Sequence, residues 1–172
     1  RVNDAIYIYD QGASPFATRA WWLLHYAGFK HAYVVNGGFE AMKEAGFVVT
    51  EQEPTFAPTQ LELQWNEDIL VKRSDIVRLV EGKSKATLLD ARSNNRYRGK
   101  EEPLDPVAGH IPTAKNYDWE QLREGTNLVI TSSLLEKVKK DEDIVVYCGS
   151  GVTATPIYSI LKQAGYQNVK VY

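Results

Sequence analysis

The sequence predicts an α/β fold with a central, mainly parallel sheet flanked by helices, and three observations point to it. Short apolar runs rich in β-branched and aromatic residues, such as Thr87-Leu-Leu-Asp90 and Ile144-Val-Val-Tyr147, read as strands buried on both faces. They alternate with segments of helical apolar spacing, such as the one carrying Ile157, Ile160, Leu161 and Ala164. One strand-loop-helix-strand pattern also occurs twice, at an offset of about 137 residues.

The first copy opens with a strand from Ala5 to Tyr9, followed by Asp10 and a polar loop, Gln11 to Thr18. A helix then runs to Ala27-Gly28, where glycine suits the left-handed residue that ends a helix. A strand, Ala32 to Val35, leads through Gly37-Gly38 into a short helix, Phe39 to Ala45. Pro54 and Pro58 mark Glu51 to Thr59 as a linker. Three segments are expected: 1–50, the later part of one unit; 51–64, a linker; and 65–172, a second unit.

In the second unit Ser74 or Asp75 can cap a helix ending near Gly82. The strand Thr87 to Asp90 precedes a charged loop from Arg92 to Gly109, and Lys115 to Tyr117 can form another strand. Ser133 with Glu136 resembles a capping box for a helix through Lys140. The strand Ile144 to Tyr147, a polar loop, a helix ending at Ala164-Gly165 and the strand Val169 to Tyr172 complete the second copy. The chain opens on Arg1 almost directly into a strand and stops before the helix that follows the first copy. It is therefore expected to start inside one unit and to lack the last helix of the next.

The chain has 172 residues, 44% of them hydrophobic, enough for a substantial core. A net charge of -2, from 20 basic and 22 acidic residues, gives no reason to expect nucleic acid or a membrane surface as partner. No apolar run approaches the roughly 18 residues of a spanning helix. One cysteine excludes an intramolecular disulfide framework and a Cys-rich metal site, and His25, His31 and His110 lack metal-ligand spacing. No metal or organic cofactor is expected, and a reducing, cytoplasmic setting is the default.

The chemistry concentrates in Cys148-Gly-Ser-Gly-Val-Thr153, between a hydrophobic strand and a helix. Ligands of open α/β sheets bind beyond the carboxyl ends of strands. Gly149 and Gly151 allow several N–H groups to turn inward, and such a nest at a helix N-terminus favours an anion such as a thiolate. Ser150 and Thr153 add hydroxyls. The plainer reading is a small buried cysteine before a glycine-rich turn. Two reaction classes use such a cradle. Phosphatases and arsenate reductases need an arginine six positions after the cysteine to grip a tetrahedral oxyanion, and here that position is Ala154. A sulfur-carrying cysteine needs no such clamp.

On these residues the chain resembles the two-domain rhodanese-type sulfurtransferases that use thiosulfate or 3-mercaptopyruvate. Cys148 to Ala154 resembles the active loop of the mercaptopyruvate branch, and Leu89-Asp90-Ala-Arg92 and Gly109-His-Ile-Pro112 resemble further family signatures. The resemblance implies that Cys148 accepts sulfur as a persulfide and that the backbone of Gly149, Ser150, Gly151, Val152 and Thr153 stabilises it. It implies that Arg96 pairs with the sulfonate or carboxylate of the donor and that Ser150 polarises a donor carbonyl. The implied partners are a small anionic donor and a thiol or cyanide acceptor, with a thiol reductant protein as a further candidate.

Asp105 stands where the mercaptopyruvate branch has a second arginine, and Arg98 or Lys100 are the candidate substitutes. Asp10 takes the place of the cysteine in the first copy, which therefore resembles the inactive domain of the family. Asp90 and Arg92 either touch the active loop or form an ordinary scaffold pair. His110 reads as structural, Trp21 or Trp22 as packing between units, and Tyr117 and Trp119 as core. The expected activity is double-displacement sulfur transfer. The alternatives are a Cys-dependent phosphatase or arsenate reductase and a non-catalytic sulfur-carrier or interaction module.

Overall fold

A computed structural model describes residues 4–172, so the first three positions of the segment expected at 1–50 lie outside the described residues. The main sheet holds four parallel strands in the order β4-β3-β7-β8. They are β3 (Thr87–Asp90), β4 (Lys115–Asn116), β7 (Ile144–Tyr147) and β8 (Val169–Val171). A separate parallel pair, β1 (Ile6–Ile8) and β2 (Ala32–Val34), brackets helix α1 (Pro15–Tyr26). Helices α2 (Gly38–Glu44), α3 (Arg73–Val80), α4 (Asn94–Tyr97), α5 (Ser132–Leu135) and α6 (Ala154–Gln163) and the antiparallel pair β5 (Arg123–Glu124) and β6 (Asn127–Leu128) complete the fold.

The central strand β7 is buried along its whole length because both faces are covered. Ile144 and Val146 point to the α6 side and pack with Leu89, Ile157 and Leu161. Val145 and Tyr147 point to the other side and pack with Leu88 and Ile76 of α3. That alternation is the two-residue period of a strand. Each fully buried Leu or Ile stabilises the fold by about 1.5–3 kcal/mol.

Helix α6 tolerates Pro156 because a proline in the first turn removes an N–H that has no helical acceptor. Gly28 and Gly165 have φ of 92° and 85° just after α1 and α6, the left-handed geometry expected for them. Capping differs from expectation in two places. Helix α3 is preceded by Lys72, whose N–H donates to the Asp75 carboxylate, so Asp75 sits inside the first turn rather than at the cap. Helix α5 is capped two residues early, with the Thr131 hydroxyl accepting from the Leu134 N–H, and ends at Leu135 rather than running through Lys140. Thr131 wins over Ser133 because its hydroxyl also meets the buried Tyr117 hydroxyl at 2.6 Å.

Between α2 and α3 the chain forms only one short 3-10 turn, Glu67–Ile69. Its approach is anchored: the Asn66 N–H donates to the Tyr26 carbonyl at 2.7 Å, and Trp65 packs on Tyr26. Helices α1 and α6 pack directly on each other, with Trp21 against Tyr158 and Thr18 against Thr155. Among the described residues no helix is long and apolar enough to cross a membrane.

Candidate active site

Strand register brings the loops after β3 and β7 together. Asp90, the last residue of β3, lies opposite Tyr147, the last residue of β7, and the Ala91 N–H donates to the Tyr147 carbonyl at 2.8 Å. The loops that follow, carrying Arg92 and Cys148, therefore leave the sheet side by side at its carboxyl edge.

The Cys148 thiol is half-buried, and its Sγ accepts a hydrogen bond from the Gly151 N–H at 3.0 Å. Gly151 has φ of 76°, a conformation in which a side chain is strained. The loop ends at Thr153, from which α6 starts, so the helix N-terminus is directed at the loop. Among the described residues neither the Ser150 nor the Thr153 hydroxyl takes an intramolecular hydrogen-bond partner. Ser150 lines a cavity of about 500 Å³ together with Cys148, Gly149 and Gly151. Val152 gives its carbonyl to the Thr155 hydroxyl at 2.7 Å, which fixes the end of the loop. Ala154 is fully buried and packs into the core, so the position that would carry an oxyanion-gripping arginine holds a small apolar side chain.

Asp90 and Arg92 form a buried scaffold pair. The Arg92 Nη2 donates to Asp90 Oδ2 at 2.6 Å and to the Gly109 carbonyl at 2.6 Å, while Nη1 reaches Glu102 Oε2 at 3.1 Å. The hydrogen bonds it donates to Asp90 push the Arg92 guanidinium still further above its ordinary range, so it stays charged. The pair ties the charged loop to the end of β3, and Arg92 also lines a second cavity, of about 270 Å³, that reaches Cys148.

Arg96 stands beside the cradle but is engaged. Its Nη2 donates to Glu102 Oε1 at 2.6 Å and to Asp105 Oδ2 at 3.2 Å. A Cβ placed on Gly149 would lie 3.5 Å from Arg96 Nη2 and 4.0 Å from Asp105 Oδ2, so the ion pair abuts the loop. Glu102 was not evident as a site residue in the sequence. The hydrogen bond from Arg96 holds its carboxyl down at about 2. Around Arg92 and Arg96 three carboxylates therefore face two guanidiniums. Arg98 and Lys100 are exposed and line neither cavity at Cys148. His110 stacks on Tyr97 with ring centres 3.8 Å apart, and its Nδ1 donates to the Tyr97 carbonyl at 2.8 Å.

The corresponding loop of the first copy holds its own anion. Asp10 Oδ1 accepts from the Gly12 N–H at 2.8 Å and Oδ2 from the Ala17 N–H at 2.9 Å. A Cβ on Gly38 would clash with the Gly12 nitrogen and the Asp10 backbone carbonyl, so only glycine lets the two backbone segments approach so closely there.

Sequence reasoning missed Arg19. It projects from α1 across the Cys148 loop, with Nη1 3.5 Å from the Gly151 carbonyl and the guanidinium 5.0 Å from the Trp22 ring centre. Arg19 and Trp22 line the same 500 Å³ cavity as Cys148. Among the described residues no group of three His, Cys, Asp or Glu is placed to hold a metal ion.

A model of the rhodanese-like domain family matches residues 1–45 and 74–172. A probable 3-mercaptopyruvate sulfurtransferase of Pseudomonas aeruginosa is 34% identical over 186 residues, covering 100% of this chain and 63% of that protein. The sulfur carrier protein TtuD of Thermus thermophilus is 31% identical over 190 residues, covering 99% of this chain and 66% of its own length. Among solved structures, SseA from Escherichia coli, described with the rhodanese fold of 3-mercaptopyruvate sulfotransferases, superposes with a TM-score of 0.85 at 28% identity. That match covers 100% of this chain and 66% of SseA. The chain spans about three fifths of the length of the curated relatives it matches.

Proposed function

The chain belongs to the rhodanese-like domain family, and from that premise we propose that it transfers sulfane sulfur through a persulfide on Cys148. The observation that carries this reading is the cradle itself, a half-buried thiol sulfur accepting the Gly151 N–H at 3.0 Å at the mouth of a parallel sheet. In the first half-reaction the Cys148 thiolate attacks the outer sulfur of thiosulfate. A new S–S bond forms, the S–S bond of the donor breaks, and sulfite leaves with the electron pair. With 3-mercaptopyruvate the C–S bond breaks instead, and the pyruvate enolate takes up a proton. In the second half-reaction a thiol or cyanide attacks the outer sulfur and restores the thiolate, the ping-pong pattern of covalent catalysis.

In this reading residues 65–172 form the sulfur-accepting unit and residues 1–50 a non-catalytic unit joined to it by 51–64. Asp10, already holding two N–H groups, makes the first cradle an occupied one. Gly149 to Thr153 support the persulfide, and Asp90 with Arg92 keeps the neighbouring loop in place. A reducing cytoplasmic setting, with a thiol reductant protein as acceptor, suits a free reactive thiol. Phosphoryl transfer is disfavoured because the buried Ala154 stands where the oxyanion-gripping arginine would be, and because Arg92 and Arg96 are already paired with carboxylates.

Two observations favour a second reading, that of a sulfur carrier with little turnover. Asp105 occupies Arg96, and the relative from Thermus thermophilus is named a sulfur carrier. Intact mass after incubation with thiosulfate or 3-mercaptopyruvate tests both. The wild type should gain one sulfur atom and Cys148→Ala none. No gain from either donor refutes sulfur transfer, whereas gain without release to cyanide or thiol selects the carrier.

A further inference from the structure

Three arginines approach the cradle, and their surroundings differ. Arg92 is held by Asp90, Glu102 and the Gly109 carbonyl. Arg96 is held by Glu102 and Asp105. A guanidinium already bridging two carboxylates has little attraction left for a third anion, since bringing one in sets like charges against each other. Arg19 has no carboxylate within ion-pair distance among the described residues. Its polar contact is the long one to the Gly151 carbonyl, at 3.5 Å.

Arg19 is also fixed in place. It follows Thr18, whose hydroxyl meets Thr155 of α6 at 2.9 Å, so α1 is tied to α6 just where Arg19 departs. The guanidinium lies over Trp22, which itself stacks on Tyr26 with ring planes 5° apart. A Cβ on Gly151 would be 3.3 Å from Arg19 Nη1, so the cation reaches the loop that receives the Cys148 sulfur. Both line the cavity of about 500 Å³, whose other walls include Trp22, Leu23, Tyr26, Leu70 and Val171. Burial by those apolar walls lowers the Arg19 pKa, and the Cys148 thiolate opposes that shift. A partly desolvated cation among apolar walls attracts an anion more strongly than one in open water. The free Ser150 hydroxyl opens onto the same cavity and can donate to an oxygen of the same ligand.

We propose that the sulfonate or carboxylate of the sulfur donor is held by Arg19, reaching in from the first β-loop-α-β unit, and not by Arg96, which Glu102 and Asp105 occupy. The inference deepens the sulfur-transfer reading and rests on it for the identity of the ligand. The donor then enters through the cleft between α1 and the Cys148 loop. Its planar or trigonal anionic end lies on the guanidinium fork, and its sulfur points at Cys148.

The test compares wild type, Arg19→Gln, Arg19→Lys and Arg96→Gln in two assays. The first is the rate of Cys148 alkylation by iodoacetate relative to iodoacetamide at one pH and ionic strength. The ratio reports anion attraction at the thiol and cancels changes in thiol reactivity or general access. The second is the thiosulfate concentration that half-saturates single-turnover sulfur loading, read by intact mass. Arg19→Gln should lower the iodoacetate preference about tenfold and raise the half-saturating thiosulfate by a similar factor. Arg19→Lys should recover most of both, and Arg96→Gln should change them less than Arg19→Gln. An alkylation ratio that stays within about twofold in Arg19→Gln, or falls further in Arg96→Gln, overturns the proposal. Absence of sulfur loading in wild type refutes the transfer reading instead, and the alkylation ratio still decides whether Arg19 is the anion site.

Discussion

The hydroxyls of Thr18 and Thr155 meet 2.9 Å apart in the buried seam between α1 and α6, and the two residues hold the same place in their two β-loop-α-β units. Each hydroxyl also lies within bonding distance of the carbonyl three residues earlier, Pro15 for Thr18 and Val152 for Thr155. Three contacts thus share two protons. The neighbouring pair, Trp21 and Tyr158, repeats the relationship with ring centres 5.7 Å apart. The seam is therefore close to two-fold symmetric.

Replacing one member of the pair leaves the other hydroxyl without its cross-seam partner. Thr155→Val should cost about 1 kcal/mol, and the double variant Thr18→Val/Thr155→Val should cost less than the sum of the singles. Urea midpoints across the four proteins check this. Additive costs would show that the two hydroxyls do not interact.

The two glycines of the cradle should respond differently to a methyl group. Gly151→Ala forces a left-handed alanine, costing about 1–2 kcal/mol, and presses on Arg19. Sulfur loading should slow by about tenfold as the bond from N–H to sulfur is disturbed. Gly149→Ala meets only ordinary contacts, the nearest at 3.5 Å, and should stay within about 0.5 kcal/mol of wild type. Thermal melts with loading rates separate the two, and equal damage from both would contradict the geometry.

Releasing Arg96 should strengthen attraction for anionic donors. Asp105→Asn removes one of its two carboxylates and should reduce the half-saturating thiosulfate by about threefold to tenfold. A titration of loading against thiosulfate measures it. Unchanged or weaker binding would mean that the Asp105 charge does not reach the donor.

Glu102 should make stability fall in acid through a defined window. Its carboxyl is held at about 2 by the hydrogen bond from Arg96, below the unfolded value of about 4.3. A depressed carboxyl contributes stability that is fully present above the unfolded pKa and is lost as pH falls through the folded one. The stability gap between wild type and Glu102→Gln should therefore be constant near pH 6 and shrink between about pH 4.3 and 2. Denaturant midpoints at several pH values test this, and a gap that does not narrow in that window would contradict it.

Much of the fold was readable because single residues decided it. The run Thr87 to Asp90 is a strand at its stated limits, since its central residues are apolar, and Gly28 and Gly165 end their helices as their identity requires. The cap of α5 differs from expectation because a tertiary partner, Tyr117, selects Thr131 among adjacent polar residues, whereas at α3 the Asp75 carboxylate caps locally, from inside the first turn. In the site, Cys148 and its loop follow from local sequence alone. The ion pairing of Arg96 with Glu102 depends on how the charged loop folds back, which spacing does not encode. Arg19 is further removed still. The signal that could have found it is the repeat, because equivalent helices packed about an axis place the start of one beside the loop of the other.

Arg19 and Cys148, the proposed anion receptor and nucleophile, come from opposite ends of the chain, joined at the α1–α6 seam. Nucleophile and anion receptor thus belong to separately built halves. A substitution that loosens the seam, far from either group, would leave a thiol that still reacts but no longer discriminates among electrophiles. On the proposed assignment of Arg19, discrimination among electrophiles becomes a readout of assembly, and a shift in the preference for charged over neutral reagents would reveal a weakened seam before any loss of secondary structure.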